Sequence, residues 1–117
     1  MSSRRYHLII DLTEVPSERL VNEQGLAGFI KKLPDLIGMK IMHGPVVITG
    51  VPTNPGVTAF VIIDFSHISI HTFTETNEAL IDIFSCKKFD HQIAVNYVLD
   101  YFMVEKSKAH IKQVIND

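Results

Sequence analysis

Three β-rich runs follow one another between residues 57 and 86, and they constrain the fold more than any other feature of the chain. The first, Val57–Ile63, is almost continuously β-branched or aromatic, which is typical of a buried strand. The second, Ser66–Phe73, alternates polar and apolar residues, and the third, Leu80–Cys86, is again rich in strand formers. Such a succession of strands, with helical patterns before and after it, predicts a largely antiparallel sheet.

Two helices are predicted to flank these strands. Apolar residues recur at helical spacing from Asn22 to Leu36, where Pro34 is expected to kink or end the helix, and Asp90 is a good N-cap for a helix over 90–104. Further strands are predicted at Tyr6–Leu12 and at Ala109–Ile115. Two more are predicted at Lys40–Met42 and Pro45–Thr49, on either side of a His43-Gly44-Pro45 turn, and a loop is predicted over 50–56. This order predicts an α+β fold, a two-layer α/β sandwich with helices on one face of a mainly antiparallel sheet. The 117 residues have room for a single domain, 1–117.

The composition excludes some function classes. A net charge of -2 gives no electrostatic basis for binding nucleic acid or an anionic membrane. No apolar run approaches the ~20 residues that a membrane-spanning helix needs, so neither nucleic acid nor a membrane is an expected partner. The single cysteine, Cys86, rules out an intramolecular disulfide and fits a reducing compartment, so we expect a cytoplasmic protein.

The Ser66–Phe73 run carries an unusual row of polar side chains. Its period of two puts two isoleucines on one face and a His-Ser-His row, residues 67, 69 and 71, on the other. Such a row is either a solvated outer face or one wall of a site. His67 and His71 are roughly 13 Å apart in an extended strand, whereas the ligands of one zinc ion lie about 2 Å from it. The two histidines are therefore not expected to bind a metal ion together.

Two further alternatives concern nucleophilic chemistry. Ser66 and His71 are an odd number of residues apart, so an unbroken strand points them to opposite faces, and the chain has no G-x-S-x-G elbow. An ordinary serine hydrolase is therefore not expected. Cys86, at the end of a predicted strand, is either a small buried apolar residue or a reactive thiol, and its residue type leaves both open.

Four short motifs follow one another in this part of the chain. They are Ser66-His67, Ile70-His71-Thr72, Phe73-Thr74-Glu75 and Ile81-Asp82-Ile83-Phe84-Ser85-Cys86. With these motifs the chain resembles the prokaryotic, pyruvoyl-dependent S-adenosylmethionine decarboxylases. The first strand, the first helix, the Gly56-Val57-Thr58 segment and the last helix are also in family order, so the resemblance covers essentially the whole chain.

The resemblance implies that the chain cuts its own backbone. In the family, a serine hydroxyl attacks the preceding carbonyl to give an ester, and β-elimination then leaves the serine as an N-terminal pyruvoyl group. By resemblance Ser66 is that serine, and the bond that is cut is Phe65–Ser66. The self-generated pyruvoyl group is then the cofactor, because its ketone accepts the electrons released when the substrate loses carbon dioxide.

The resemblance also implies roles for other residues. Cys86 matches the cysteine that returns a proton to the substrate, so it joins Ser66 and His71 as a catalytic residue. His71 matches the histidine used in processing and in shaping the site, and Thr58 matches a serine that assists processing. Glu75 matches the carboxylate that binds the ribose hydroxyls of the substrate. We expect Ser66, His71 and Cys86 to meet in one cleft.

The implied function is decarboxylation of a small-molecule substrate, S-adenosylmethionine, which supplies the aminopropyl donor for polyamine (spermidine) biosynthesis. The implied assembly is a homodimer of processed chains with sites at the subunit interface. Two positions depart from the family: Phe65 replaces a glutamate, and Pro52 replaces a phenylalanine that stacks on adenine. Two alternatives therefore stay open: a decarboxylase of another amino acid such as arginine or ornithine, and an unprocessed, non-catalytic homologue that binds a ligand or partner.

Overall fold

A single antiparallel sheet of six strands organises the computed structural model, which describes residues 4–116. The elements are β1 (Arg5–Leu12), α1 (Ser17–Val21), α2 (Glu23–Leu36), β2 (Ile41–Val51), β3 (Asn54–Ile63), β4 (Ser66–Phe73), β5 (Glu78–Ser85), α3 (His91–Phe102), a 3-10 turn (Lys106–Lys108) and β6 (Ala109–Asn116). The strand order is β2-β3-β4-β5-β1-β6, and each pair of neighbours is antiparallel. The predicted α+β class, a two-layer sandwich, is confirmed.

One face of the sheet is buried under the helices, and this packing forms the core. Alternate residues of the central strands point to this face and are fully buried, namely Leu8, Ile10, Ala59, Val61, Ile68, Ile70, Ile81 and Ile83. They pack with the apolar stripes of α2 and α3, to which Leu26, Phe29, Ile30, Val95, Val98 and Phe102 belong. Each buried Val, Leu, Ile or Phe side chain among them contributes roughly 1.5–3 kcal/mol by leaving water. No helix within residues 4–116 is long and apolar enough to cross a membrane.

The other face of the sheet, here called the open face, carries a row of aromatic rings across four strands. The ring of His67 stacks on Phe60 and on Phe84, with ring centres 5.4 and 5.8 Å apart. Phe84 in turn meets the ring of His7 edge-on at 5.2 Å. The alternation predicted for β4 is confirmed, because its isoleucines are buried and its His-Ser-His row lies half-buried on the open face.

The second strand differs from the prediction. Residues 41–51 form one strand, so the predicted His43-Gly44-Pro45 turn is wrong. The register of β2 against β3 shifts between Ile41 and His43 and again between His43 and Val46. These bulges accommodate a glycine and a proline, which is tolerated because β2 is an edge strand. The predicted loop over 50–56 is also shorter, since β2 ends at Val51 and β3 begins at Asn54.

Pro34 does not end the helix where the sequence suggested. It is buried inside the last turn of α2, which continues to Leu36. Its ring takes away the N–H bond to the Ile30 carbonyl, and the chain leaves the helix two residues later. Gly38, with a φ of 76°, then lies in the turn that leads to β2.

Candidate active site

The bond between Phe65 and Ser66 lies in the tight turn that joins β3 to β4. Ser66 has a φ of 146°, a region that residues with a side chain rarely adopt, and such strain costs about 1–3 kcal/mol. The turn is fixed by Asp64, whose backbone N–H donates to the Lys40 carbonyl at 2.9 Å. The Asp64 carboxylate also accepts the Lys40 N–H at 3.0 Å. Backbone strain therefore lies next to the bond that the resemblance marks for cleavage.

Cys86 follows β5 and contacts this turn through its backbone. Its N–H donates to the carbonyl oxygen of Phe65 at 3.0 Å. That carbonyl belongs to the Phe65–Ser66 peptide bond. An N–H in this position polarises the carbonyl and can stabilise the oxyanion that forms when a nucleophile attacks it. The Cys86 thiol itself is free and exposed.

A buried serine holds the Cys86 backbone in place. The Ser85 hydroxyl donates to the Lys87 carbonyl at 2.8 Å and accepts the Lys87 N–H at 2.9 Å. The turn around Cys86 is thus fixed by a side chain that is 0% exposed. The sequence motifs point to no role for Ser85 or for the Cys86 N–H. Serine side chains can bond the backbone two residues further on, as Ser85 does, but a serine alone is only a weak sequence signal for such a turn.

Thr58 and His71 lie opposite each other on β3 and β4. The Thr58 hydroxyl oxygen and the His71 Nδ1 are 3.0 Å apart, within hydrogen-bond distance. The contact orients the imidazole ring and leaves Nε2 for a second partner, which is how histidine is set up to move a proton. Two of the residues that the resemblance implies for processing therefore lie within hydrogen-bond distance of each other in one chain.

Close packing of the backbone positions this pair. Gly56 has a φ of 128°, and a Cβ there would overlap the Thr72 carbonyl oxygen, so only glycine fits. The buried Thr72 hydroxyl accepts the Val57 N–H and donates to the Leu20 carbonyl, both at 2.8 Å. These contacts tie α1, β3 and β4 together beside Thr58.

Glu75 lies in the turn between β4 and β5, at the same end of the sheet as Thr58 and His71. It lines a cavity of about 140 Å³ with Phe73 and the Thr53–Pro55 segment. A neighbouring cavity of about 80 Å³ is lined by Thr58 and His71. Both cavities are small compared with the roughly 300–1,000 Å³ of typical small-molecule sites.

The candidate residues thus form two groups at opposite ends of β4. Ser66 and Cys86 lie at one end, here called the Ser66 end. Thr58, His71 and Glu75 lie at the other, here called the His71 end. Five strand positions separate Ser66 from His71, or about 16 Å. The backbone of Cys86 contacts the Phe65–Ser66 turn, whereas His71 lies away from both within one chain, because β4 is an unbroken strand.

Two larger depressions lie elsewhere on the surface. Depressions of about 450 and 510 Å³ lie beside Lys108 and beside Leu99, and neither includes a candidate residue. Within residues 4–116, no cluster of three or more His, Cys, Asp or Glu residues could hold a metal ion.

Comparison with known proteins places this arrangement in a family. The family model for S-adenosylmethionine decarboxylase matches residues 6–113, a range that contains both ends of the site. The chain belongs to the S-adenosylmethionine decarboxylase family. The resemblance drawn from the sequence motifs is therefore confirmed.

Relatives of this family member match it over nearly its whole length. S-adenosylmethionine decarboxylase proenzyme 2 of Bacillus cereus is 33% identical over 110 residues, which are 93% of this chain and 85% of the relative. The S-adenosylmethionine decarboxylase proenzyme of Clostridium botulinum is 33% identical over 112 residues, 94% of this chain and 91% of the relative. The crystal structure of the adenosylmethionine decarboxylase from Aquifex aeolicus shares the fold, with a TM-score of 0.76 over 99% of this chain and 91% of that one, at 19% identity.

Proposed function

We propose that this chain is a self-cleaving, pyruvoyl-dependent decarboxylase of S-adenosylmethionine that supplies the aminopropyl donor for polyamine biosynthesis. One observation carries the proposal: the Cys86 N–H donates to the carbonyl of Phe65, next to a strained Ser66. A nucleophile, a polarised carbonyl and a thiol are thus neighbours. Membership of the family supports the same chemistry.

Self-cleavage takes place at the Ser66 end. The Ser66 Oγ attacks the Phe65 carbonyl carbon, the peptide C–N bond breaks, and an ester forms. The Cys86 N–H stabilises the oxyanion of this step. Removal of the Ser66 Cα proton then breaks the Cβ–Oγ bond, and Phe65 leaves as a carboxylate. Water enters and ammonia leaves at residue 66, which becomes the pyruvoyl group. Cleavage also releases the strain at Ser66.

The residues around Ser66 fit such a group. Once formed, it supplies a ketone that takes up electrons as carbon dioxide leaves. The Cys86 thiol is exposed and adjacent to the turn, so it is suited to deliver a proton to the substrate carbon. An exposed, unpaired thiol also fits a reducing compartment such as the cytoplasm.

A second copy of the chain completes the site. The two groups of residues lie about 16 Å apart on one strand, so neither end holds the full set. When two open faces pack on each other about a two-fold axis that crosses the strands, the Ser66 end of one copy meets the His71 end of the other. Each homodimer then has two sites, and each site combines Ser66 and Cys86 of one copy with Thr58, His71 and Glu75 of the other.

The open face has the character of a surface that needs a partner. Val46, Ile48 and Ile62 lie on it and are 40%, 61% and 42% exposed. The row of rings from Phe60 to His7 lies between them and β6. Packing two such faces together removes apolar side chains from water, which is the main driving force for association.

The His71 end offers groups suited to an adenosyl moiety. Pro52 lies in the turn between β2 and β3, where the family has an aromatic residue. Phe73 lines the same cavity as Glu75, and its side chain is 38% exposed. The ring can stack on adenine while the Glu75 carboxylate accepts hydrogen bonds from the ribose hydroxyls. Arginine and ornithine lack both groups.

We expect the purified protein to release carbon dioxide from S-adenosylmethionine and not from arginine or ornithine. The measurement is release of labelled carbon dioxide from each substrate carrying the label in its carboxyl group, with the Ser66→Ala protein as the blank. Release from arginine or ornithine instead would contradict the assignment of substrate. A protein that binds S-adenosylmethionine, stays one chain and releases nothing would be the non-catalytic homologue.

Thr58→Val is expected to slow self-cleavage about tenfold, the effect of losing one orienting hydrogen bond. The substitution keeps the shape of the side chain but removes the hydroxyl that lies 3.0 Å from His71 Nδ1. Thr58→Ser keeps the hydroxyl and should cleave at close to the natural rate. The rates are measured by denaturing electrophoresis of freshly made protein over time. Equal rates for the valine and serine variants would exclude this role for Thr58.

A further inference from the structure

Lys87 lies beside the ring of Phe65, the residue that precedes the bond that the proposed function cuts. Its ammonium group is 5.1 Å from the centre of the Phe65 ring and donates to the Gly38 carbonyl at 3.0 Å. Its backbone is held at both polar atoms by the Ser85 hydroxyl. The side chain is thus fixed at its base and its tip, and its charge is placed beside Phe65.

A positive charge at this position offsets a negative charge that forms at Phe65 during cleavage. Before cleavage, the Phe65–Ser66 peptide bond is neutral. After the ester eliminates, the backbone of Phe65 ends in a carboxylate. Asp64, the residue before it, carries a second carboxylate on its side chain. The Asp64 carboxylate is already present and is held by the Lys40 N–H. Elimination therefore creates a second negative charge beside an existing one, and like charges so close oppose each other.

We propose that Lys87 stabilises the carboxylate that leaves when the Phe65–Ser66 ester eliminates. The inference rests on the proposed self-cleavage. A base takes the Ser66 Cα proton, the electron pair forms the Cα–Cβ double bond, and the Cβ–Oγ bond breaks with its electrons on the Phe65 carboxylate. The Cys86 N–H already bonds one of these oxygens, and the Lys87 ammonium beside the Phe65 ring supplies a nearby positive charge that favours the carboxylate. Lys87 acts on the second step, whereas ester formation depends on Ser66 and the Cys86 N–H.

This division of labour predicts which intermediate accumulates. Lys87→Gln should still form the ester but eliminate about tenfold more slowly, the loss expected for one charged partner. Hydroxylamine added to the protein cuts an ester at Phe65 and leaves a 66–117 fragment that begins with serine. The natural protein should yield mostly the fragment with a pyruvoyl terminus. Mass spectrometry of the two fragments distinguishes these products.

Three variants separate charge from contact. Lys88→Gln changes the neighbouring exposed lysine and should behave like the natural protein. Lys87→Arg keeps the charge and should restore elimination to within about threefold. Asp64→Asn in the Lys87→Gln chain removes the opposing carboxylate and should speed elimination relative to Lys87→Gln, because the leaving carboxylate then forms without a like charge beside it.

The outcomes are distinct. Pyruvoyl formation by Lys87→Gln at the natural rate, with no ester trapped, would overturn the role of Lys87 and leave the proposed function intact. An arginine variant as slow as the glutamine variant would show that contact, not charge, matters, and would overturn it as well. Failure of the natural protein to cleave at all would overturn both proposals together.

Discussion

Ser66→Ala is expected to remain a single chain of 117 residues and to release no carbon dioxide from any substrate. Alanine has no hydroxyl to attack the Phe65 carbonyl, so neither the ester nor the pyruvoyl group can form. Without that ketone nothing accepts the electrons of the departing carboxyl group. We expect no self-cleavage and no decarboxylation. Denaturing electrophoresis and intact-mass measurement test for cleavage, and release of labelled carbon dioxide tests for decarboxylation.

Ser107→Ala is the matched control, because it makes the same change at an exposed position outside the residues assigned to the site. It should cleave and decarboxylate like the natural protein. If the Ser66→Ala chain still broke into two fragments, the nucleophile would be another residue. If it stayed whole but kept full activity, the cofactor assignment would be wrong.

The second large effect is expected when two inactive chains are combined. His71→Ala and Ser66→Ala proteins should each fail to cleave when produced separately. In a mixed dimer, Ser66 of the His71→Ala chain meets His71 of the Ser66→Ala chain, and one complete site results. Random pairing makes about half of the His71→Ala chains part of such dimers. We therefore expect about half of those chains, and none of the Ser66→Ala chains, to be cleaved after co-expression.

A pair of changes at the same end provides the control for this experiment. Thr58 and His71 both lie at the His71 end. A mixed dimer of Thr58→Val and His71→Ala chains has a defect in each of its two sites, so it should cleave no faster than the Thr58→Val protein. Differently tagged chains and denaturing electrophoresis distinguish the products. Absence of cleavage in the Ser66→Ala and His71→Ala mixture would mean that one chain builds its own site.

Much of the fold was predictable because the sheet has one covered face. The alternation of β4 predicted a strand directly, since burial on one side enforces a period of two. The β-branched and aromatic residues of β3 predicted a second strand by their type. The prediction failed at His43 to Pro45, where turn-forming residues lie inside an edge strand. An edge strand tolerates bulges that a central strand would not, and the local sequence contains no sign of which kind of strand it is.

The motifs named candidate residues but not their arrangement. One cleft was expected for Ser66, His71 and Cys86, whereas Thr58, His71 and Glu75 lie at one end of β4 and Ser66 and Cys86 at the other. Because β4 is straight, the two groups do not share a cleft within one chain. The Cys86 N–H could not be predicted, because every residue except proline has one and only the fold shows where it points.

The central claim is that the chain cuts itself between Phe65 and Ser66. Intact-mass measurement of the purified protein, fresh and after long incubation, tests it most directly. The account predicts two chains that stay associated in one folded protein, residues 1–65 and residues 66–117, with a pyruvoyl group at the start of the second. A single uncut chain at every time point would contradict it.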